Sequence, residues 1–414
     1  MARFRDVLKN RSFLFLWLGQ IVSSFGDWLN KMALIALVYK KAPGSTMELA
    51  KLLFFIIIPV FIIGPIAGVY VDRWDRKRVM IVSDVLRGCL VLLIPFFILY
   101  LKSFLPVYVL VFLIFSITRF FFQSKMAIIP DIVPRDMLLI ANTLSDTARA
   151  ISGFIALAAA GIIIERIGAI NGFYIDSLTY FISALFISNM IIKGVIGHLG
   201  EDILKAREAF KKSIRKSLWA EIKEGILFIA GRKEMKFVLR TFFLLMAGIG
   251  AVSCVLIVFI QEAFGSVTKH LSFLMMFLAL GGFIGMLFYG RFGQKLRKEK
   301  VILSCFMLSG IFMVIFTAIA GFAPSVWTCG TIVFLLGVSA GPIMVSLNTI
   351  VHESIPQEAR GRIFSSLEAV AHLAFLVFMF IAAFAAEYFG RIWILAFCGV
   401  IFFVWGAVGV FSRD

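Results

Sequence analysis

The chain has 414 residues, 61% hydrophobic and only 16% charged, with a mean hydropathy of +1.00. A soluble domain carries about a quarter charged residues, so this chain cannot keep a water-facing surface along its length, and disorder and a small disulfide scaffold are excluded with it. The net charge of +17 would suit nucleic acid, but about 30 of the 41 Lys and Arg fall on one side of a predicted membrane and about 7 on the other, the positive-inside pattern, so no nucleic-acid partner is expected.

At the start, Arg3, Arg5, Lys9 and Arg11 precede an apolar run too long for a signal-peptide core, which reads as a retained first helix with its N-terminus inside. A helix needs about 20 mostly apolar residues to cross roughly 30 Å of hydrocarbon. That window predicts spans at 13–39, 47–71, 78–101, 105–126, 138–165 and 169–193, then 235–261, 270–291, 299–321, 325–350, 361–387 and 391–411. Backbone groups cannot be left unpaired in lipid, and the runs are continuous, so they are helices and not barrel strands. The even count puts both termini in the cytoplasm. Between the halves, residues 194–234 are basic, with Phe210, Ile214, Leu218 and Ile222 repeating every four positions. Such a stretch is either an amphipathic helix on the membrane surface or a solvated linker. The expected organisation is therefore an N-terminal bundle over 1–193, a cytoplasmic linker over 194–234 and a C-terminal bundle over 235–414. Cys89, Cys254, Cys305, Cys329 and Cys398 all lie in apolar runs without a CxxC pair and read as small buried residues; no metal and no cofactor are expected.

The two halves resemble each other. A shift of 222 residues places the 68–78 segment on 290–300 and Asp131-Ile-Val-Pro134-Arg-Asp136 on Glu353-Ser-Ile-Pro356-Gln-Glu358. Two segments agreeing at one offset indicate an internal duplication, a common way to build a transport site. The fold class expected is all-α integral membrane, twelve transmembrane helices in two pseudo-symmetric six-helix bundles.

The run Gly68-x-x-x-Asp72-Arg73-x-Asp75-Arg76-Lys77-Arg78 resembles the signature loop of the major facilitator superfamily, with Asp75 where that pattern has glycine. Trp17-Leu-Gly-Gln20, Gly26-Asp27-Trp28, Pro130-Asp131-x-x-Pro134, Ala141-Asn142, Asp176-Ser-Leu-Thr-Tyr180 and Pro356-x-x-x-Arg360-Gly361-Arg362 narrow the resemblance to the bacterial branch of macrolide efflux permeases and the enterobactin exporter. It implies the major facilitator fold, rocker-switch transport through a cavity between two bundles, and a cytoplasmic latch involving Gly68, Asp72, Arg73 and Arg76. The alternative for the basic latch residues is that they only fix topology.

A charge at the centre of a span costs about 2.5–3.5 kcal/mol on insertion scales, so each one needs a partner or a purpose. Asp27 lies roughly 21 Å from the cytoplasmic side, at 1.5 Å of rise per residue. Desolvation penalises a charged carboxylate, so an acid at that depth can exchange protons and attract cationic cargo. Its competing structural reading is an intrahelical pair with Lys31 at i+4. Arg119, with Gln123 at i+4, resembles the fourth-helix arginine of antiporters; by depth its expected partners are Asp146 or Asp84. Arg149 falls where antiporters carry a Gly-Pro motif, which this chain lacks. For Asp176 a tie to a neighbouring helix is expected. Glu368 and His372 share a helix face and could accept protons or make a polar contact. Lys125 is read at the inner rim of span four, fixing topology or holding a lipid phosphate.

No GxxxxGK[ST], HExxH or GxSxG motif occurs, so neither ATP-driven pumping by this chain nor those hydrolase chemistries are supported, and no enzyme activity is expected. The leading reading is a monomeric, proton-coupled exporter of amphipathic small molecules in the bacterial inner membrane, with membrane lipids as its surroundings. A lysophospholipid flippase and a non-transporting sensor or scaffold are the alternatives.

Overall fold

The computed structural model describes residues 4–71, 74–100, 104–191, 233–293, 295–354 and 357–411. Asp72, Arg73 and residues 194–232 of the expected linker lie outside the described residues.

Helix α1 (Phe4–Leu8) leads into α2 (Arg11–Lys41), whose start is fixed by Asn10: its Oδ1 accepts from the Ser12 and Phe13 amides at 3.0 and 3.2 Å, satisfying two otherwise orphan donors. Ser45 does the same for α3 (Thr46–Ile62), accepting from the Glu48 amide at 3.2 Å. The second predicted span is broken. Pro59 and Pro65 interrupt it, and α4 (Gly64–Val71) completes the crossing. The bonds Ile63 N to Pro59 O (2.9 Å) and Ala67 N to Ile63 O (2.7 Å) carry the backbone across the break, as a lipid environment requires.

Next come α5 (Arg76–Tyr100), α6 (Leu105–Ile132), a 3-10 turn at Arg135–Met137, α7 (Leu138–Ile167) and α8 (Ala169–Ser188). The second half holds α9 (Lys233–Phe264), α10 (Lys269–Phe292), α11 (Lys298–Phe322), α12 (Val326–Ser354), α13 (Gln357–Phe389) and α14 (Arg391–Phe411). Eleven of these helices are each long and apolar enough to span, and α3 with α4 makes the twelfth crossing. Most predicted limits hold within a few residues. The exception is α6, predicted to stop at 126 but continuous to Ile132, because its final turns are apolar and pack into the buried cluster with Phe13, Leu16 and Met80. At the head of α5, Asp75 accepts from the Arg78 amide at 3.0 Å, so the residue that replaces the signature glycine serves as a helix cap.

The described residues form two units. One contains residues up to Lys41 and from Lys51 to 191; the other contains 42–50 and everything from 233 onward. The short segment between α2 and α3 thus groups with the second unit. Thr46 Oγ1 donates to Ala383 O (2.7 Å), Glu387 Oε1 accepts from Ser45 Oγ and Met47 N (3.1 Å each), and Arg391 bonds both Gly44 O and Glu262.

The duplication is visible inside each unit. In the first, α2 packs on α7, α5 on α8 and on α6; in the second, the same offsets pair α9 with α13, and α11 with α14 and α12. Gly168 (φ 81°) and Gly390 (φ 85°), 222 residues apart, make the tight α7–α8 and α13–α14 connections in a region open to glycine. The same offset relates two ion pairs: Arg76 to Asp131 at 2.5 Å and Lys298 to Glu353 at 2.7 Å.

Candidate functional site

The charged interior belongs to the first unit. Among the described residues, the charged side chains that are buried are Asp84, Arg87, Lys125 and Asp176, all on α5, α6 and α8. Among its described residues, the second unit buries uncharged polar groups such as Thr241, Ser272, Ser309 and Ser346.

Helix α2 organises the site. Gly26 lets it approach α8 closely: an added Cβ would run into Thr179 and Asp176. Nearly two turns earlier, Gln20 and Ser145 of α7 bond reciprocally, Nε2 to the Ser145 carbonyl at 3.1 Å and Ser145 Oγ to Oε1 at 2.9 Å. With the helices held this way, Asp27 and Asn30 face α8. Tyr180 Oη donates to Asp27 Oδ1 at 2.5 Å, and Asn30 Nδ2 donates to Asp176 Oδ2 at 2.5 Å.

Beneath Tyr180 lies Arg87, only 1% exposed. It is paired with Asp84 one turn back on α5 and clamped between two rings, 4.3 Å from the Tyr180 centroid and 4.5 Å from that of Phe121. Cations over ring faces gain most where water is excluded. Asp27 therefore accepts from a phenol whose ring face carries a buried arginine.

Several expectations are corrected by this geometry. No ion pair joins Lys31 to Asp27 among the described residues. The ammonium instead lies 4.2 Å from the Trp28 ring centroid, while Asp27 Oδ1 accepts from Tyr180. Arg119 pairs with neither Asp84 nor Asp146. Those acids are taken by same-helix partners at i+3, Arg87 and Arg149 (2.9 Å for the latter), and i+3 neighbours meet without bridging a helix interface. The buried Nε of Arg119 has no hydrogen-bond partner, and its nearby charges are Asp27 and Arg87. Gln123 is half-buried beside it. Lys125 is not at a rim: α6 continues past it, it is 4% exposed, and its Nζ lies 5.3 Å from the Phe122 ring centroid.

Arg149 is exposed, bonded to Asp146, with its guanidinium 5.9 Å from the same Phe122 ring. On α13, His372 Nδ1 lies 2.7 Å from the Glu368 backbone carbonyl, so the imidazole meets the helix backbone and not the Glu368 carboxylate. Gly68 sits in α4 with open space around it. Of the latch residues, Arg76 bonds Asp131 within the first unit. Sequence reasoning overlooked Arg87, Tyr180 and Asn30. Arg87 was findable as an arginine three residues beyond a mid-span aspartate, a spacing that pairs charges on one helix face.

Twelve crossings in two duplicated halves, with a charged network inside one half, define a polytopic α-helical transporter. The sequence matches the family description "Major Facilitator Superfamily" over residues 16–303 and 238–414, and the chain belongs to that family. It is 26% identical over 389 residues to macrolide efflux protein A of Streptococcus pyogenes, covering 91% of this chain and 90% of the relative. It is 27% identical over 406 residues to the putative bacilysin exporter BacE of Bacillus subtilis (strain 168), covering 93% and 92%. Its fold is similar to that of a bacterial homologue of the iron transporter ferroportin in an inward-facing state, with a TM-score of 0.69, 14% identity, and 96% and 99% of the two chains covered. The protein is a multi-pass membrane transporter and not an enzyme.

Proposed function

We propose that the protein is a proton-coupled exporter of amphipathic small molecules, working by alternating access in the bacterial inner membrane with both termini cytoplasmic. The observation that carries this reading is Asp27: a half-buried carboxylate in a spanning helix, with Oδ1 held by Tyr180 and Oδ2 making no hydrogen bond to the described residues. An acid fixed through one oxygen and open at the other can take up a proton, or meet a cationic group of the cargo, without being reoriented. The two occupants compete for one charge, which is the requirement for antiport. The relatives, a macrolide efflux protein and a putative bacilysin exporter, support export as the direction. The protein is taken to act as a monomer.

The test is transport in proteoliposomes with an imposed pH gradient, comparing the wild-type protein with Asp27→Asn on a lipophilic cation, a macrolide and a fluorescent lysophospholipid. Gradient-driven movement of cation or macrolide that collapses in Asp27→Asn is the expected result. Movement of the lysophospholipid alone, indifferent to the gradient, would replace the exporter with a flippase. Unaltered flux in Asp27→Asn would remove Asp27 from the coupling path.

A further inference from the structure

Asp176 is fully buried and, among the described residues, forms no ion pair. Its bonded neighbour across the α2–α8 contact is Asn30, itself only 3% exposed, whose Nδ2 donates to Oδ2. That bond leaves two atoms over. Asp176 Oδ1 and Asn30 Oδ1 are both enclosed and both without a hydrogen-bond partner. Each is an acceptor, and each belongs to one member of the same pair. An unmet buried acceptor forfeits its hydration and gains nothing in return.

The surroundings do not supply the missing hydrogens. Thr179 Oγ1 gives its one hydrogen to the Asp176 backbone carbonyl at 2.7 Å, and turning it towards Oδ1 would still leave Asn30 Oδ1 without a donor. Thr179 Oγ1 and Asp176 Oδ1 both crowd the position that a Cβ on Gly26 would take, so α2 lies too close to α8 there for a water to come between. The ionisable groups of the packed helices are committed elsewhere. On α2, Asp27 accepts from Tyr180 of α8, and Lys31 lies over Trp28. On α5, Arg87 is paired with Asp84. The charged side chains of α7, Asp146, Arg149, Glu165 and Arg166, are exposed.

A single hydrogen meets both needs. A neutral carboxylic acid and a primary amide join by two bonds, the amide N–H to the acid carbonyl and the acid O–H to the amide carbonyl. One proton on Asp176 turns an unmet acceptor into a donor and gives Asn30 Oδ1 its partner.

We infer that Asp176 and Asn30 form a buried proton-binding site, in which Asp176 is a neutral acid bonded twice to the Asn30 amide. The proton is a fixed one, because losing it would leave a charge in a water-free contact with no cation bonded to it. Asp176 is thereby a positioning residue. The paired bonds set the azimuth of α2 within a turn of Asp27 and so hold that carboxylate against Tyr180. Of the two acids at the α2–α8 contact, Asp27 alone is left to exchange a proton or meet cargo. The proton site stands apart from the exporter reading; only this last division of roles rests on it.

Infrared spectra of the protein in liposomes, recorded from mildly acidic to mildly alkaline buffer, test the proposal, because a protonated carboxyl absorbs apart from carboxylates and backbone amides. One such band is expected in wild type at every pH, retained in Asp27→Asn and lost in Asp176→Asn. Asn30→Ser takes away the amide donor and moves the band to higher frequency, a shift that decides the matter even where Asp176→Asn does not fold. A loss of carboxylate absorption in Asp176→Asn, with no carboxyl band lost, makes Asp176 ionised and overturns the proposal. A band that fades with rising pH overturns it as well, since Asp176 would then exchange its proton, and so does a band unmoved in Asn30→Ser. Unaltered transport in Asp27→Asn would sink the exporter reading and leave these bands as they are.

Discussion

Removing one member of the Asp84–Arg87 pair is expected to cost more than removing both. Asp84 is fully buried and Arg87 is 1% exposed, so neither charge can be screened by water if its partner is lost. Asp84→Asn keeps the volume and leaves the guanidinium against the rings of Phe121 and Tyr180 without the carboxylate it contacts. Breaking a buried pair in this way costs about 3–5 kcal/mol. The double variant Asp84→Leu with Arg87→Met removes both desolvated charges, which on its own is neutral or stabilising by about 1–4 kcal/mol, and forfeits two cation–ring contacts worth about 1–2 kcal/mol each. At their midpoints these terms leave the double variant about 1 kcal/mol below wild type, above both Asp84→Asn and Arg87→Met. Reversible unfolding in mixed micelles, followed by tryptophan fluorescence and completed as a double-mutant cycle, measures this. Hydrogen bonds between spanning helices couple by only about 0.6 kcal/mol on average, so a coupling above about 2 kcal/mol would mark a true ion pair. Additive losses, with the double variant as unstable as the sum of the singles, would refute the reasoning.

The two inner ion pairs should behave alike and weakly. Arg76 and Asp131 are 30% and 37% exposed, and Lys298 and Glu353 32% and 60%, so Arg76→Glu or Lys298→Glu should cost about 1 kcal/mol or less, recovered by the charge-swapped doubles with Asp131→Arg and Glu353→Lys in the same unfolding assay. Gln20→Leu should cost about 1–3 kcal/mol, because it strands the buried Ser145 hydroxyl; Gln20→Leu with Ser145→Ala should be milder. Arg391→Gln breaks the 2.8 Å bond to Glu262 and the bond to the Gly44 carbonyl. Hydrogen exchange should then quicken at residues 44–48 and stay unchanged in α5 and α6.

The span pattern was readable because hydropathy and length answer to the bilayer, a constraint that acts on each helix alone. The break in span two was missed, because 47–71 reads as one continuous apolar run although Pro59 lies within it. The site was read less completely. Asp27 and Asp176 were visible as charges at forbidden depth, but their partners were not, because Tyr180 and Asn30 are neutral and each lies on another helix. Depth alone suggested Arg119 with Asp84 or Asp146. Depth says nothing of azimuth, and the arginines three residues along the same helices reach those acids first. Lys125 was misplaced for a different reason: it closes an apolar window, and the window ended before the helix did.

The same 222-residue offset shows what the second half does in place of charge. It carries Asp27 to Ile249, Asp84 to Phe306, Arg87 to Ser309, Lys125 to Leu347, Asp176 to Cys398 and Tyr180 to Phe402, and Arg119 falls on Gly341. Where the first unit buries charges, the second brings α10 and α12 together by close backbone approach. Gly281 and Gly285 on α10 face the carbonyls of Phe334 and Val338, while Gly337 and Gly341 on α12 face those of Leu278 and Gly282. Glycines four apart on both partners let the helices meet main chain to main chain, where dispersion replaces the hydrophobic effect that lipid cannot supply. A Cβ at any of these positions would land on a carbonyl oxygen, which cannot rotate away. Gly285→Leu must push α10 off α12 along several turns, and overpacking of this kind costs about 1–3 kcal/mol or more. Gly290, on the same helix, has open space where its Cβ would go. Gly290→Ala should gain helix propensity, up to about 1 kcal/mol. Unfolding of the two variants in parallel separates the causes: a Gly285→Leu variant as stable as Gly290→Ala would mean that glycine spacing in this half reflects composition and not packing.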